Sequence, residues 1–140
     1  MAAAAARGAR ALDTLRPGPA DHLEIRSDPS KGRGVFAGAP IAAGTLIEAA
    51  PVIIVPAGEC RLLDRTILHD YYFRWDGGRD GSGAVALGLV ALCNHSRRPR
   101  ARVRRNVARG TLDLVALLPI AAGDEVTIDY NCALWFTAQD

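Results

Sequence analysis

Turn-forming residues divide this chain into short segments, and this division constrains its fold more than any other feature. The 140 residues include 14 glycines and 8 prolines. Clusters of turn residues at 27–34 and 76–83 leave little room for long regular elements. Between such clusters apolar and polar residues alternate, as at residues 22–26, which is typical of half-buried strands. Many short strands at close spacing, with little helix, predict a mainly β (α+β) domain.

The same pattern predicts individual elements. Residues 45–56 predict two strands interrupted at Pro51, because proline cannot donate to a central ladder. Residues 60–75 have apolar residues closer to helical spacing than to alternation. The alternation on either side of Gly110 predicts a hairpin that turns there. Residues 119–131 predict a turn followed by a last strand.

The composition fits one ordinary globular domain. The chain is 49% apolar and 23% charged, and its formal charge of +2 is too small to imply a nucleic-acid partner by itself. No apolar stretch approaches the roughly 20 residues needed to cross a bilayer, so we expect no membrane contact. Residues 1–20 form a leader rich in alanine and arginine that we expect to be disordered, and we place the domain at residues 21–140.

The cysteines bear on compartment and on metal binding. Cys60, Cys93 and Cys132 are odd in number, widely spaced and without a CxxC pair. This spacing argues against a disulfide framework and against a structural zinc site, and it favours a reducing environment. We therefore predict a cytoplasmic protein that holds no metal.

An apolar run at residues 87–93 ends abruptly in Asn94, His95 and Ser96. A serine hydrolase would need the glycines of a nucleophile elbow, which are missing, and adjacent residues rarely hold serine and histidine in catalytic geometry. A metal site would need further histidines at ligand spacing, which the sequence does not offer. The remaining interpretation is that these side chains satisfy backbone groups where the chain crosses itself or meets a ligand. Leaving such buried groups unpaired costs about 1–3 kcal/mol each.

Two further motifs are weak when each is taken alone. The glycines on either side of Arg33 allow positive φ and a close approach of the backbone to a ligand, but they form neither a Walker loop nor a Rossmann fingerprint. In the predicted last strand, Val126 and Ile128 alternate with polar residues, and Tyr130 ends the strand. A single tyrosine at the end of a strand is more often a packing residue than a catalyst.

Taken together, "KGRGVFA", "LCNHSRRP" and "AAGDEVTIDYN" have the order and approximate spacing of motifs in the SET-domain family of protein lysine methyltransferases. The resemblance covers about residues 22–136, and the chain is most similar to small bacterial and viral-type members without zinc-binding flanks. It implies the SET (β-clip) fold of small curved sheets, in which the C-terminal segment passes through a loop to form a pseudoknot. Such threading is an exception to the usual rule of protein topology.

The resemblance also implies a reaction, which is methyl transfer from S-adenosyl-L-methionine to the ε-amine of a lysine in a protein substrate. Tyr130 matches the family's active-site tyrosine, which orients the lysine amine at the floor of a dry channel. The residues implied in cofactor binding are Asn94 and His95 at the adenosyl part and Gly32, Arg33 and Gly34 at the methionine end. The possible channel or lid residues are Tyr71, Tyr72, Trp135 and Phe136, for which simple packing is an equal alternative.

The arginines at residues 97–109 depart from the family pattern. Arg100 stands where the family has an asparagine, and a guanidinium cannot reproduce the acceptor half of an amide. On a strand, Arg100, Arg102 and Arg104 share one face, and a solvated outer face is favoured over a docking surface for an acidic partner or nucleic acid. The alternative function is therefore a non-catalytic SET-like binding module that uses these arginines to dock an acidic partner.

Overall fold

The computed structural model describes residues 22–75 and 79–130. The predicted leader, Trp135 and Phe136 lie outside the described residues. The strands are β1 (Leu23–Asp28), β2 (Gly32–Ala37), β3 (Leu46–Val55), β4 (Phe73–Arg74), β5 (Gly83–Ala86), β6 (Ala101–Asn106) and β7 (Thr111–Ala116). The helices are α1 (Ala57–Leu63) and two short 3₁₀ helices, Ile67–Asp70 and Leu89–Leu92.

These strands form two antiparallel sheets, which confirms the mainly β prediction. Strands β1 and β2 form a two-stranded sheet, and the other five strands form a sheet in the order β4-β5-β3-β7-β6. The short connections and turn residues between them match the segmentation of the sequence. None of the helices in residues 22–75 and 79–130 has the length and apolarity needed to cross a bilayer.

Strand β3 runs through Pro51 as one strand, so the predicted break there is wrong. The residues up to Pro51 pair with β7, whereas Val52–Val55 pair with β5. Proline is tolerated because β3 changes partners at this point, so the missing N–H does not interrupt a continuous ladder. The Pro51 carbonyl still accepts a hydrogen bond from Leu87 N at 2.8 Å.

The predicted hairpin around Gly110 is confirmed. Strands β6 and β7 pair in register from Asn106↔Thr111 outward, and Gly110 has φ +65° in the turn. Ala101 is buried, whereas Arg102 and Arg104 are exposed, as alternation on this strand predicts. The outer face of the hairpin is therefore basic and its inner face contributes to the core.

Two element predictions need correction. The segment predicted to have helical spacing contains the last turn of α1 and a 3₁₀ helix but then continues into β4. The predicted last strand forms no ladder, because its residues make isolated bridges to two different segments, Phe36↔Glu125 and His95↔Ile128. A segment that pairs with a different partner every few residues cannot be assigned from its own alternation.

The core lies between the five-stranded sheet, β2, the 3₁₀ helix Leu89–Leu92 and the segment after β7. Its fully buried side chains come from all of these parts, and the largest are Val35, Ile47, Val90, Leu112, Leu114, Ile120, Val126 and Ile128. The apolar residues of the segment at 123–130 are thus held in the core, which fixes the direction of the polar residues between them.

Candidate functional site

The segment at residues 123–130 lies between β2 and the Asn-His-Ser motif and brings the three sequence motifs together. On one side, Val126 N donates to Val35 O at 2.7 Å. On the other side, Ile128 N donates to Asn94 O at 3.0 Å. Three consecutive residues of the segment, 126–128, are thus bonded to β2 on one side and to residues 94–96 on the other.

Asn94 is at the centre of this convergence. Its Nδ2 donates to the carbonyl of Arg33 at 3.1 Å and to Glu125 Oε1 at 2.7 Å. The other carboxylate oxygen, Glu125 Oε2, lies 3.4 Å from Lys31 Nζ in a partly buried ion pair. Sequence reasoning missed Glu125. Its alternation with Val126 gave a weak signal for a polar face, but nothing local indicated its partners.

The two glycines beside Arg33 have different structural roles. Gly32 has φ +78°, and a Cβ there would meet no atom within 4 Å. A Cβ on Gly34 would lie 2.5 Å from Glu125 Oε1 and 2.8 Å from Asn94 Nδ2. Gly32 therefore permits the left-handed turn, whereas Gly34 permits close packing of the backbone against the Asn94 side chain.

The turn that leads into this motif is held by Asp28. Its Oδ1 accepts from the amides of Ser30 and Lys31 at 2.7 and 3.1 Å. Hydrogen bonds from the hydroxyl and amide of Ser30, followed by the amide of Lys31, hold the pKa of Asp28 below its ordinary value. The turn thus delivers Lys31 and Gly32 at a fixed position next to the segment at 123–130.

His95 is buried, and its ring accepts a backbone hydrogen bond. Tyr130 N donates to His95 Nδ1 at 3.1 Å, and the two rings lie 5.2 Å apart between centroids. Asp129 Oδ1 is 3.7 Å from the same nitrogen. We do not regard this as an ion pair, because a nitrogen that accepts from an amide carries no proton and the distance is too long for a hydrogen bond.

The backbone of His95 is turned away from the segment at 123–130. In its parallel bridge with Ile128, the hydrogen bonds are made by the carbonyl of Asn94 and the amide of Ser96. The N–H and C=O of His95 therefore point away from Ile128. Neither group has a backbone hydrogen-bond partner among residues 22–75 and 79–130. A donor and an acceptor at one residue are suited to the edge of a heterocyclic base.

Tyr130 lies beside the same motif. Its hydroxyl donates to the carbonyl of Cys93 at 2.9 Å, and its ring is half-buried against the core. The Cys93 side chain is fully enclosed, and burial raises the pKa of its thiol. The phenol is thus fixed in position by residues that directly precede Asn94.

Arg100 retains the donor half of the expected asparagine. Its Nη1 donates to the carbonyl of Glu125 at 3.1 Å, and its backbone N donates to Thr127 Oγ1 at 3.2 Å. Its own carbonyl accepts from Leu117 N at 2.9 Å. A guanidinium thus links this part of the chain to the segment at 123–130, although it has no acceptor of its own.

Glu48 positions the residues that precede the Asn-His-Ser motif. It is buried, and its two carboxylate oxygens accept from Leu89 N at 2.9 Å and Val90 N at 3.0 Å, at the start of the 3₁₀ helix. The register of β3 against β7 shifts between Leu46 and Glu48, and such a bulge re-aims a side chain. Sequence reasoning missed this residue because an acidic side chain in a strand is usually exposed.

The other predicted aromatic residues are distributed as follows. Tyr72 Oη donates to Asp64 Oδ1 at 2.6 Å. Burial, followed by this bond, raises the pKa of Tyr72 to about 12, and the same bond holds the pKa of Asp64 below its ordinary value. Tyr71 is half-buried after the 3₁₀ helix Ile67–Asp70. For Tyr71 and Tyr72 a place in the channel stays a prediction, and Trp135 and Phe136 lie outside the described residues. Among residues 22–75 and 79–130, no three histidine, cysteine or acidic side chains are grouped closely enough to hold a metal ion.

Comparison with known proteins bears on the family of this chain. The sequence model of the SET domain matches residues 32–131. The chain is 36% identical over 115 residues to the Schizosaccharomyces pombe protein named histone-lysine N-methyltransferase, H3 lysine-37 specific. That alignment covers 81% of this chain and 76% of the relative. The crystal structure of a candidate histone methyltransferase from Plasmodium falciparum has a similar fold, with a TM-score of 0.62 and 24% identity, covering 82% of this chain and 97% of that one.

Proposed function

Because this chain belongs to the SET-domain family of protein lysine methyltransferases, we propose that it transfers a methyl group from S-adenosylmethionine to a protein lysine. The observation that carries the proposal is the convergence of Arg33, Asn94 and Glu125 beside Tyr130. The match to a lysine methyltransferase over 81% of the chain favours this function over the non-catalytic binding module.

The residues present fit S-adenosylmethionine as cofactor. Adenine presents an acceptor beside an amino donor on one edge, which the N–H and C=O of His95 can match. The sulfonium and ammonium groups are cationic and suit carbonyl oxygens such as that of Arg33, which Asn94 holds in place. The open space beside Gly32 leaves room for the methionine end. The Asn94 side chain would thus contribute to cofactor binding by holding the Arg33 carbonyl and the Asn94 backbone in position.

When bound, the cofactor supplies an activated methyl group on a positively charged sulfur. The residues of this chain have to position a neutral lysine amine and exclude water, because positioning accounts for most of the acceleration in such a transfer. A dry channel disfavours the ammonium form and lowers the pKa of the substrate lysine. Tyr130, fixed through Cys93, is placed to orient the amine and to make weak CH···O contacts.

The name of one relative supports a proposal for the substrate class. The Schizosaccharomyces pombe relative is named for action on lysine 37 of histone H3. We propose a lysine in a protein as the substrate and histone H3 as the first protein to test.

The experiment combines methyl transfer with cofactor binding. Full-length protein is incubated with radiolabelled S-adenosylmethionine and either histone H3 or a cell lysate, and labelled bands are identified. Calorimetry measures cofactor binding separately. We expect Asn94→Ala to weaken cofactor binding. Asn106→Ala is the matched control, since it removes another asparagine that donates to a carboxylate, Asp113 Oδ2, at 3.2 Å.

The role of Tyr130 is tested by the split between the two measurements. Tyr130→Phe should reduce methyl transfer far more than it reduces cofactor affinity, because the hydroxyl acts on the amine. Equal losses in both would mean that the tyrosine is only structural. A folded protein that binds no S-adenosylmethionine would overturn the proposed function itself.

A further inference from the structure

We propose that a basic pocket next to the segment at 123–130 binds a phosphoryl group. The pocket has a volume of about 320 Å³. Its cationic residues are Lys31, Arg98 and Arg100, its hydroxyl residues are Ser96 and Thr127, and its acidic residue is Glu125. We name it the basic pocket. The inference goes beyond methyl transfer and does not depend on it.

The basic pocket carries an excess of positive charge. Three cationic side chains face one carboxylate, which leaves a net charge of +2. The carboxylate of Glu125 is already engaged at both oxygens, by Asn94 Nδ2 at 2.7 Å and by Lys31 Nζ at 3.4 Å. The Glu125 carboxylate therefore links Asn94 to Lys31 in the wall of the pocket. It does not neutralise the guanidinium groups of Arg98 and Arg100.

The backbones of Arg98 and Arg100 are held in a fixed relation. Arg98 and Arg100 flank Pro99, whose ring restricts φ, and each is anchored by its backbone amide. Arg98 N donates to Ser96 Oγ at 2.9 Å, and Arg100 N donates to Thr127 Oγ1 at 3.2 Å. The pocket thus combines two guanidinium groups with the ammonium group of Lys31 from a separate segment.

These donors suit a phosphoryl group better than another anion. Guanidinium groups bind phosphate oxygens through paired hydrogen bonds, and a phosphate monoester carries a charge of about −1.5 to −2 near neutral pH. This charge is complementary to the excess of cationic side chains in the lining. Part of the Arg100 guanidinium is bound to the Glu125 carbonyl, and Asp124 Oδ2 lies 3.9 Å from its Nε. Arg98 is therefore the residue on which binding should depend most.

The test uses inorganic phosphate and the full chain without cofactor. Phosphate is titrated at constant ionic strength, with chloride as the replacement ion, and binding is followed by amide chemical shifts. We expect saturable binding that Arg98→Gln weakens at least about fivefold, a change consistent with losing a charge-assisted hydrogen bond. Arg98→Lys keeps the charge but loses the paired donors. Its affinity for phosphate should therefore lie between those of the unaltered protein and of Arg98→Gln.

Arg102→Gln is the matched control. Arg102 is an exposed arginine on β6 that loses the same charge but does not line the basic pocket. Its dissociation constant for phosphate should stay close to that of the unaltered protein. Binding that does not saturate, or equal weakening by the Arg98 and Arg102 substitutions, would overturn the proposal. Because no cofactor is present, this result is independent of whether methyl transfer occurs.

A second comparison distinguishes two sources of the phosphoryl group. A peptide that contains phosphoserine is compared with inorganic phosphate and with the same peptide carrying serine. Tighter binding of the phosphopeptide than of phosphate would assign the basic pocket to a phosphorylated polypeptide. Equal affinities would assign it to small phosphorylated compounds. In both cases Arg98→Gln must weaken the binding, and failure to do so contradicts the proposal.

Discussion

Replacing Gly34 with alanine should break the contact between Asn94 and Glu125 without straining the backbone. Gly34 is not among the glycines with positive φ, so alanine can adopt its conformation. The added methyl group would lie 2.5 Å from Glu125 Oε1 and 2.8 Å from Asn94 Nδ2. Both side chains are also held elsewhere, Glu125 by Lys31 and Asn94 by the Arg33 carbonyl. Neither can withdraw without losing a bond.

The expected loss can be worked out from this geometry. The bond from Asn94 to Glu125 is short, at 2.7 Å, and its acceptor is charged. Such a bond contributes about 1.5–3 kcal/mol. Alanine restricts the unfolded chain more than glycine does, which restores about 0.4–1 kcal/mol. The free energy of unfolding should therefore fall by about 1–2 kcal/mol, and the melting temperature by about 3–8 °C for a domain of this size.

The assay is urea unfolding followed by the fluorescence of tryptophan, with Trp75 buried in the core. Gly58→Ala in α1 is the control, because a Cβ there would meet nothing within 4 Å. It should be neutral or should raise stability by about 0.5 kcal/mol. Calorimetry should show that Gly34→Ala also weakens S-adenosylmethionine binding. A Gly34→Ala protein with unchanged stability and unchanged cofactor affinity would refute the reasoning.

Substitutions of Gly32 provide a check, because alanine and asparagine should rank in the opposite order of stability there and at Gly34. Gly32 has φ +78° and open space beside it, so alanine is disfavoured there only by backbone conformation. That cost is about 1–2 kcal/mol, and asparagine tolerates the left-handed region better. Gly32→Asn should thus be more stable than Gly32→Ala, whereas Gly34→Asn should be less stable than Gly34→Ala. The same order at both positions would contradict the two roles assigned to these glycines.

Three further predictions concern buried or half-buried residues away from the two glycines. Glu48→Gln should lower the free energy of unfolding in urea by about 1.5–3 kcal/mol, because an amide can accept at only one of its two atoms; the exposed Glu59→Gln is the control, and an equal effect of both would contradict the buried role. Tyr72→Phe should be less stable than the unaltered protein at neutral pH, and this difference should close as the pH rises from about 10 to about 12. The reason is that the pKa of Tyr72 is raised to about 12 in the folded protein. The stabilisation by the Tyr72 hydroxyl is therefore fully present below the ordinary tyrosine pKa and is lost as the pH rises to about 12. A stability difference that stays constant between about pH 10 and about pH 12 would refute this. Cys93 should react with iodoacetamide only as fast as the protein unfolds, since burial raises the pKa of its thiol; rapid labelling of this residue in peptide maps of the native protein would be the contrary result.

The elements that could be predicted from sequence are those whose partners are near in the chain. The hairpin of β6 and β7 followed from alternation on both sides of Gly110, because its pairs and its turn are local. The break predicted at Pro51 located a real event, which is the change of partner along β3. Its interpretation was wrong because a strand can exchange neighbours without ending. That exchange depends on β5 and β7, which come later in the sequence.

The site shows the same limit. The family resemblance led to Asn94, Gly34 and Tyr130, and the structure brings the first two into contact and fixes the third through Cys93. Glu125 was missed because its partners lie 31 residues away at Asn94 and 94 residues away at Lys31. A carboxylate looks solvated in sequence unless its distant partners are known. The roles of these residues toward cofactor and substrate stay predictions.

The position of residues 123–130 has a consequence for how the molecule is made. A ribosome synthesises this segment after every strand of both sheets, and until it emerges the amide of Ser96 and the carbonyl of Val35 lack their native hydrogen-bond partners. Docking then joins groups that are separated by up to 94 residues, which is entropically demanding and typically slow. A nascent chain should therefore acquire its hairpin early and its reactive centre late. Substitutions in 123–130 should accordingly affect the last step of maturation more than the first.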